Sequence, residues 1–172
     1  MLELLKSRRS IRKYENKSIE KNQIEELMKC ALLSPTSKNS RPWEFIVVQD
    51  KDTLEKLSHS KGHGGAFLKD APLGIVVLAD PSKSEVWIED ASIASTIIHI
   101  SAHSMGLGSC WIQIRGRNHS DSLTASEYVK ETLNIPSNLE VDAIIAIGYP
   151  AEEKRSRNED ELLSEKIHYE VY

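Results

Sequence analysis

Two stretches of this chain, Leu73–Leu78 and Val141–Ile147, are apolar almost without interruption. Each is far short of the ~20 apolar residues that a membrane span needs. A short continuous run of this kind reads as a strand covered on both faces. The chain must therefore supply helices to both sides of a sheet, and its periodicity does so. Apolar residues at helical spacing predict helices over 20–33, 50–57, 85–105 and 123–133, after a short first turn at 2–5. In 20–33 the apolar face is Ile24, Leu27, Met28, Ala31 and Leu32, with Ser18 as the expected cap and Pro35 ending the segment. In 85–105 the face is Ala91, Ala94, Ser95, Ile98 and Ala102, small enough for another element to approach closely, and Gly106 stops it. Trp43–Val48 and Ser109–Ile114 add strands. Ile167–Tyr172, at the end of a charged tail, is a candidate further strand. The order predicts a sheet of roughly four to five strands with several helices on it.

At 172 residues the chain corresponds to one domain, taking about 150 residues per domain. Lys and Arg number 22 against 26 Asp and Glu, a net charge of −4. That balance excludes a chain held to nucleic acid by bulk charge, though not a local basic patch. Cys30 and Cys110 stand far apart with no CxxC pattern, the usage expected of a cytoplasmic protein. MLELLKSRRS has no apolar segment after its charges, so no signal peptide and no membrane association are expected.

Several clusters could carry chemistry. Arg8, Arg9, Ser10, Arg12 and Lys13 form a basic loop, either a solvated turn or a phosphate site, since guanidinium forks and a hydroxyl suit a phosphate monoester. Lys154, Arg155 and Arg157 form a second basic cluster. Both would suit one phosphate if the fold brings the chain ends together. Ser34-Pro35-Thr36-Ser37-Lys38-Asn39-Ser40-Arg41-Pro42 reads as turn chemistry or as hydrogen-bonding partners for a polar planar ligand, stiffened by two prolines. Gly106-Leu107-Gly108 follows a helix instead of preceding one and lacks a third glycine, which excludes a Rossmann fingerprint. No P-loop is present. His99 and His103 share a helix face, but Ile100 stands where a zinc hydrolase motif needs Glu, and no metal site is expected.

Arg8–Tyr14, Ser34–Trp43, Asp70-Ala71-Pro72, Gly106–Ile112 and Gly148-Tyr149-Pro150, in this order along nearly the whole chain, resemble the FMN-dependent nitroreductase family. The resemblance implies an α+β fold, a mostly antiparallel sheet flanked by helices, as a single FMN-binding domain over 1–172 in an intertwined homodimer. It implies that Arg8, Arg9, Ser10 and Arg12 hold the phosphate and ribityl end of FMN, with Arg155 and Arg157 reaching the phosphate from the C-terminal side. Pro35, Thr36, Ser37 and Asn39 would border the flavin of the other subunit. Gln113, Ile114 and Arg115 would lie against the ring and offer a backbone N–H toward N5. The implied activity is transfer of hydride from NADH or NADPH, through flavin N5, to a nitroaromatic, quinone or similar planar acceptor by a ping-pong scheme. No side chain is assigned as catalytic acid or base, because the flavin carries the chemistry. A reductive dehalogenase, a flavin-consuming enzyme or a flavin carrier on the same fold is the alternative. The chain departs from the family at Gly64 and Phe67, where some members carry Asn and Lys, leaving Lys61, His63 or Lys69 as replacements. Arg115–Tyr128 is longer than in the smallest relatives.

Overall fold

The computed structural model describes residues 1–172 throughout. Strands β1 (Trp43–Val48), β2 (Leu73–Ala79), β3 (Gly108–Gln113) and β4 (Glu140–Gly148) form one antiparallel sheet in the order β1-β2-β4-β3. The two apolar runs are the central pair, as their composition demands. Alternation along them divides the core in two. Ile75, Val77 and Ala79 join Ala143, Ile145 and Ile147 in one cluster, with residues of α2 (Lys21–Leu32) and α4 (Trp87–Ser104). Val76 and Leu78 join Ile144 and Ala146 in the other, with residues of α3 (Lys51–Ser58) and α5 (Ala125–Leu133). The fold is thus α+β, with helices on both faces. Ala91, Ala94, Ile98 and Ala102 of α4 are fully buried, so the small-residue face packs as its spacing predicts. No helix is long and apolar enough to cross a membrane.

Two local expectations are corrected. Ser18 does not cap α2; the helix begins at Lys21 behind Glu20, because Ile19 buries itself first and the chain enters the helix extended. Ile167–Tyr172 forms no strand, since no sheet edge of its own chain lies beside it, and its residues are exposed.

The chain ends are fastened across one end of the sheet. A short helix α1 (Leu2–Ser7) leads into a segment that bridges β3 at Ser10 and Ser109, with the Ile11 N–H donating to the Ser109 carbonyl at 3.0 Å. The chain leaving β4 returns along the same segment: Ala151 N–H donates to Lys13 and Arg157 N–H to Lys6, at 2.9 and 3.0 Å. Gly108 and Gly148 face each other across β3 and β4 and make this approach possible. A Cβ on Gly108 would lie 2.8 Å from Ile11 Cβ; one on Gly148 would lie 2.6 Å from Pro72 Cδ and 2.8 Å from Tyr14 Cδ1. Gly148→Ala is expected to cost about 1–3 kcal/mol by overpacking, read as a lower urea midpoint at unchanged slope.

Candidate functional site

The meeting of the two ends creates a cavity of about 370 Å³ lined by Arg8, Arg9, Ser10, Arg12, Lys154 and Arg157. Five of the six carry positive charge and the sixth is a hydroxyl; no carboxylate or apolar side chain lines it. Like charges gathered in one place repel, and apart from Lys154, which pairs with Glu152, none of them has a carboxylate partner, so the lining suits an anion. A phosphate monoester, at about −1.5 to −2 charge with three acceptor oxygens, matches the donor set. Glu152 does not line the cavity. It accepts the Arg12 N–H at 2.7 Å and holds the Lys154 ammonium at 2.7 Å. Arg155, expected beside Arg157, is turned away. Glu161, in the turn that follows, captures its guanidinium, and its carbonyl accepts from Arg9. Lys154 stands in its place; it belonged to the same basic cluster, but side-chain direction was not legible there.

The edge of β3 beyond this cavity is open. Because the Ser109 carbonyl is taken by Ile11, alternation turns the polar groups of Ser109, Trp111 and Gln113 outward and those of Cys110 and Ile112 toward β4. The N–H groups of Ile114 and Arg115 both donate to the Asp142 carbonyl, at 3.2 and 3.0 Å. Of the three residues expected to offer an N–H at this edge, only Gln113 has one free. Its side chain accepts from Trp111 Nε1 at 2.9 Å and donates to the Arg115 carbonyl at 2.8 Å, which stiffens the edge. The Arg115 guanidinium lies 3.4 Å from Asp142 Oδ1. Asp142 is the extra residue of a bulge between the central strands, buried, with Oδ2 unpartnered; burial raises its pKa and Arg115 opposes the shift.

The polar loop 34–42 is elsewhere. It leads into Trp43, paired with Ala79, at the far edge and far end of the sheet from Gly108 and Gly148. Three inter-strand spacings and a strand length separate the two corners, on the order of 20–25 Å. Pro35, Thr36, Ser37 and Asn39 therefore cannot reach the arginine cavity of their own chain. Lys38, Asn39 and Arg41 adopt left-handed backbone at φ 51°, 55° and 46°, a conformation that side chains resist. Asp90, buried on α4, holds the loop: Oδ1 accepts the Ser37 N–H at 2.8 Å and Oδ2 the Ser84 hydroxyl at 2.7 Å. The loop's own bonds add to this, Arg41 N–H to Thr36 Oγ1 at 3.1 Å and Arg41 Nε to Asn39 Oδ1 at 2.9 Å.

His99 and His103 each bond a serine, Ser109 Oγ at 2.7 Å and Ser7 Oγ at 2.8 Å. Burial first, and Arg8 second, lower both pKa values, His99 to about 4. No group of three or more His, Cys, Asp or Glu is placed to hold a metal ion. Cys30 and Cys110 are both free thiols, and burial raises the Cys110 pKa. A histidine depressed on folding binds fewer protons folded than unfolded. Its contribution to stability is complete above pH ~6.5 and is lost as pH falls toward 4. Acid unfolding between pH 6.5 and 4 is expected to carry about 3 kcal/mol from His99. His99→Gln should flatten that part of the profile, measured as urea midpoints at pH 7, 5.5 and 4.5.

The family model described as Nitroreductase family matches residues 5–62 and 57–149. An FMN-dependent nitroreductase structure from Clostridium difficile R20291 is similar over 100% of both chains, at 50% identity and a TM-score of 0.99. A relative from Archaeoglobus fulgidus, whose name reads NADH dehydrogenase/NAD(P)H nitroreductase, is 35% identical over 99% of this chain and 98% of its own. An NAD(P)H FMN reductase of Bacillus subtilis strain 168 is 27% identical over 100% of this chain and 75% of its own.

Proposed function

This chain belongs to the nitroreductase family, and from that premise we propose that it is an NAD(P)H-dependent oxidoreductase with FMN anchored in the arginine cavity. Arg8, Arg9, Ser10 and Arg12 hold the phosphate from the N-terminal side, and Arg157 with Lys154 from the C-terminal side. The observation that carries this reading is the cavity itself: five cations and a hydroxyl, drawn from both extremities, with no acid among them. FMN held there would supply the redox chemistry, a route at N5 for hydride from NADH or NADPH to an electron-poor acceptor such as a nitroaromatic or quinone, with the two substrates taking turns at the site. The protein's part is positional. Gln113 offers its free N–H at the β3 edge, and Gly108 lets the arginine segment lie close against that strand. The Cys110 thiol is buried and His99 is engaged by Ser109, so neither is given an acid or base role.

The separation of loop 34–42 from the cavity supports a homodimer in which each site takes its arginines from one subunit and Pro35, Thr36, Ser37 and Asn39 from the other. The tail supports the same arrangement. Leu163, Ile167, Tyr169 and Val171 are 57–82% exposed and find no cover within their own chain, as expected of residues that pack on a partner. All of 1–172 acts as one domain in this reading.

The test begins with the visible spectrum of the purified protein and chromatographic identification of what it releases. A yellow protein that oxidises NADH or NADPH with a quinone, giving parallel double-reciprocal lines, is the expected result. Intersecting lines contradict the shared site, absence of turnover by a yellow protein leaves a flavin carrier, and a colourless protein overturns the reading.

A further inference from the structure

Asp142 is a carboxylate that stability does not ask for. It stands near the start of an apolar strand, 1% exposed, as the extra residue of the bulge between β2 and β4, and its Oδ2 has no hydrogen-bond partner. Burying a charge is costly, and a well-packed apolar residue at such a place is often neutral or better. Bulges beside working sites re-aim side chains. The side chain that this one fixes is Arg115.

Three contacts hold it. The Asp142 carbonyl accepts the N–H groups of Ile114 and Arg115, at 3.2 and 3.0 Å, and Asp142 Oδ1 lies 3.4 Å from Arg115 Nε. The chain then turns sharply. Arg117 N–H donates to the Ile114 carbonyl at 3.1 Å, with Arg115 and Gly116 at the corner. Gly116 has φ +67°, a backbone that favours glycine. Arg115 therefore occupies a fixed corner at the end of β3, and its guanidinium is half exposed. The same corner is tied to the open edge of the strand. The Arg115 carbonyl accepts Gln113 Nε2 at 2.8 Å, and Gln113 Oε1 accepts Trp111 Nε1 at 2.9 Å. Two residues of chain span at most about 7 Å, so Arg115 is anchored within that distance of the one N–H left free there. The other cations considered for the ring end lack such an anchor. Lys61 folds back on its own glycine loop, its Nζ 3.8 Å from where a Cβ on Gly64 would lie. His63 and Lys69 are exposed, and Lys69 faces a separate cleft with Lys13, Lys17 and Asp70.

We propose that Arg115, held by the buried Asp142, is the positive charge at the ring end of the FMN site and stabilises the flavin in its reduced form. This rests on the FMN reading above, which sets the ring against the Gln113 N–H. Hydride brings two electrons and one proton, so the flavin that takes it up gains one negative charge. A cation beside the ring favours that form over the neutral oxidised one. Arg115 thus supplies the charge that Gly64 and Phe67 do not. Asp142 acts through Arg115 and is a positioning residue.

Redox titration of the FMN-loaded protein against a dye of known potential tests this. Arg115→Gln is expected to leave the affinity for oxidised FMN nearly unchanged and to weaken that for reduced FMN about tenfold, the scale of one lost charge-assisted contact. The two-electron midpoint potential should then fall by about 30 mV. Arg115→Lys keeps the charge and should recover most of that fall. Asp142→Asn removes the opposing charge but keeps an acceptor for Arg115 Nε, so the potential should rise. A merely structural role would loosen the site in both variants and would not give shifts of opposite sign. If Arg115→Gln alone does not fold, because it leaves Asp142 buried without a partner, the same change on the Asp142→Asn background should still lower the potential relative to Asp142→Asn. The proposal is overturned if removing either charge moves the potential the same way, if Arg115→Lys behaves as Arg115→Gln does, or if no variant moves it. Flat potentials in protein that retains FMN sink the role of Arg115 alone; wild-type protein that retains no FMN sinks the flavin reading first.

Discussion

Arg157→Ala is expected to weaken FMN binding roughly 10- to 150-fold, with Arg12→Ala close behind. Each removes one of the four guanidinium groups lining the cavity, and a hydrogen bond to a charged group is worth about 1.5–3 kcal/mol. Neither guanidinium makes an ion pair with a carboxylate, so its removal leaves no buried acid unpaired. Arg12 stacks over Phe67 at 5.8 Å, and its N–H bond to Glu152 is a backbone bond that survives the change. Both variants should therefore fold, and the loss should appear in FMN retention instead of in thermal stability of the apoprotein. Arg155→Ala is the internal control. Its side chain is engaged with Glu161 outside the cavity, and FMN affinity should change far less. Equal losses in Arg155→Ala and Arg157→Ala would contradict the lining described above.

Asp90→Ala is expected to damage the site from the opposite corner of the sheet. The carboxylate is 2% exposed and satisfies two donors, the Ser37 N–H and the Ser84 hydroxyl. Its loss leaves the buried Ser84 hydroxyl and the half-buried Ser37 N–H without a partner, at about 1–3 kcal/mol for a fully buried donor and less for the half-buried one. It also frees a loop whose three left-handed residues persist only while the surroundings hold them. The apoprotein should lose about 3 kcal/mol in urea unfolding. FMN affinity should fall as well, although Asp90 lies far from the arginines of its own chain, because the loop it holds serves the other subunit's site. Asp90→Asn keeps one acceptor oxygen and should recover part of both losses. FMN affinity unchanged in Asp90→Ala, measured on protein shown to be folded, would remove loop 34–42 from the site.

The sheet was legible because its central strands cannot be anything else: Leu73–Ala79 and Glu140–Gly148 are apolar runs that only the middle of a doubly covered sheet accepts. The small-residue face of α4 was legible for the same reason. The two arginine clusters were visible as composition, but their convergence depends on Gly108 and Gly148 facing each other across two strands, a relation that spacing along the chain does not show. Lys154 and Arg155 differ only in which way a side chain turns, and Glu161 decides that. Asp90 reads in sequence as an ordinary polar position near a helix start; its burial is set by a loop 53 residues earlier. Asp142 did leave a signal, a lone carboxylate inside an apolar strand, and the bulge with Arg115 is its explanation. The tail could not be placed because its apolar residues meet nothing in their own chain.

Riboflavin and FMN differ only in the phosphate, so titrating the apoprotein with each measures what the paired chain ends contribute. FMN should bind tighter than riboflavin by about two orders of magnitude or more, and Arg157→Ala should remove most of that difference. Equal affinity of the two flavins for the wild-type protein would contradict the assignment of the arginine cavity to a phosphate.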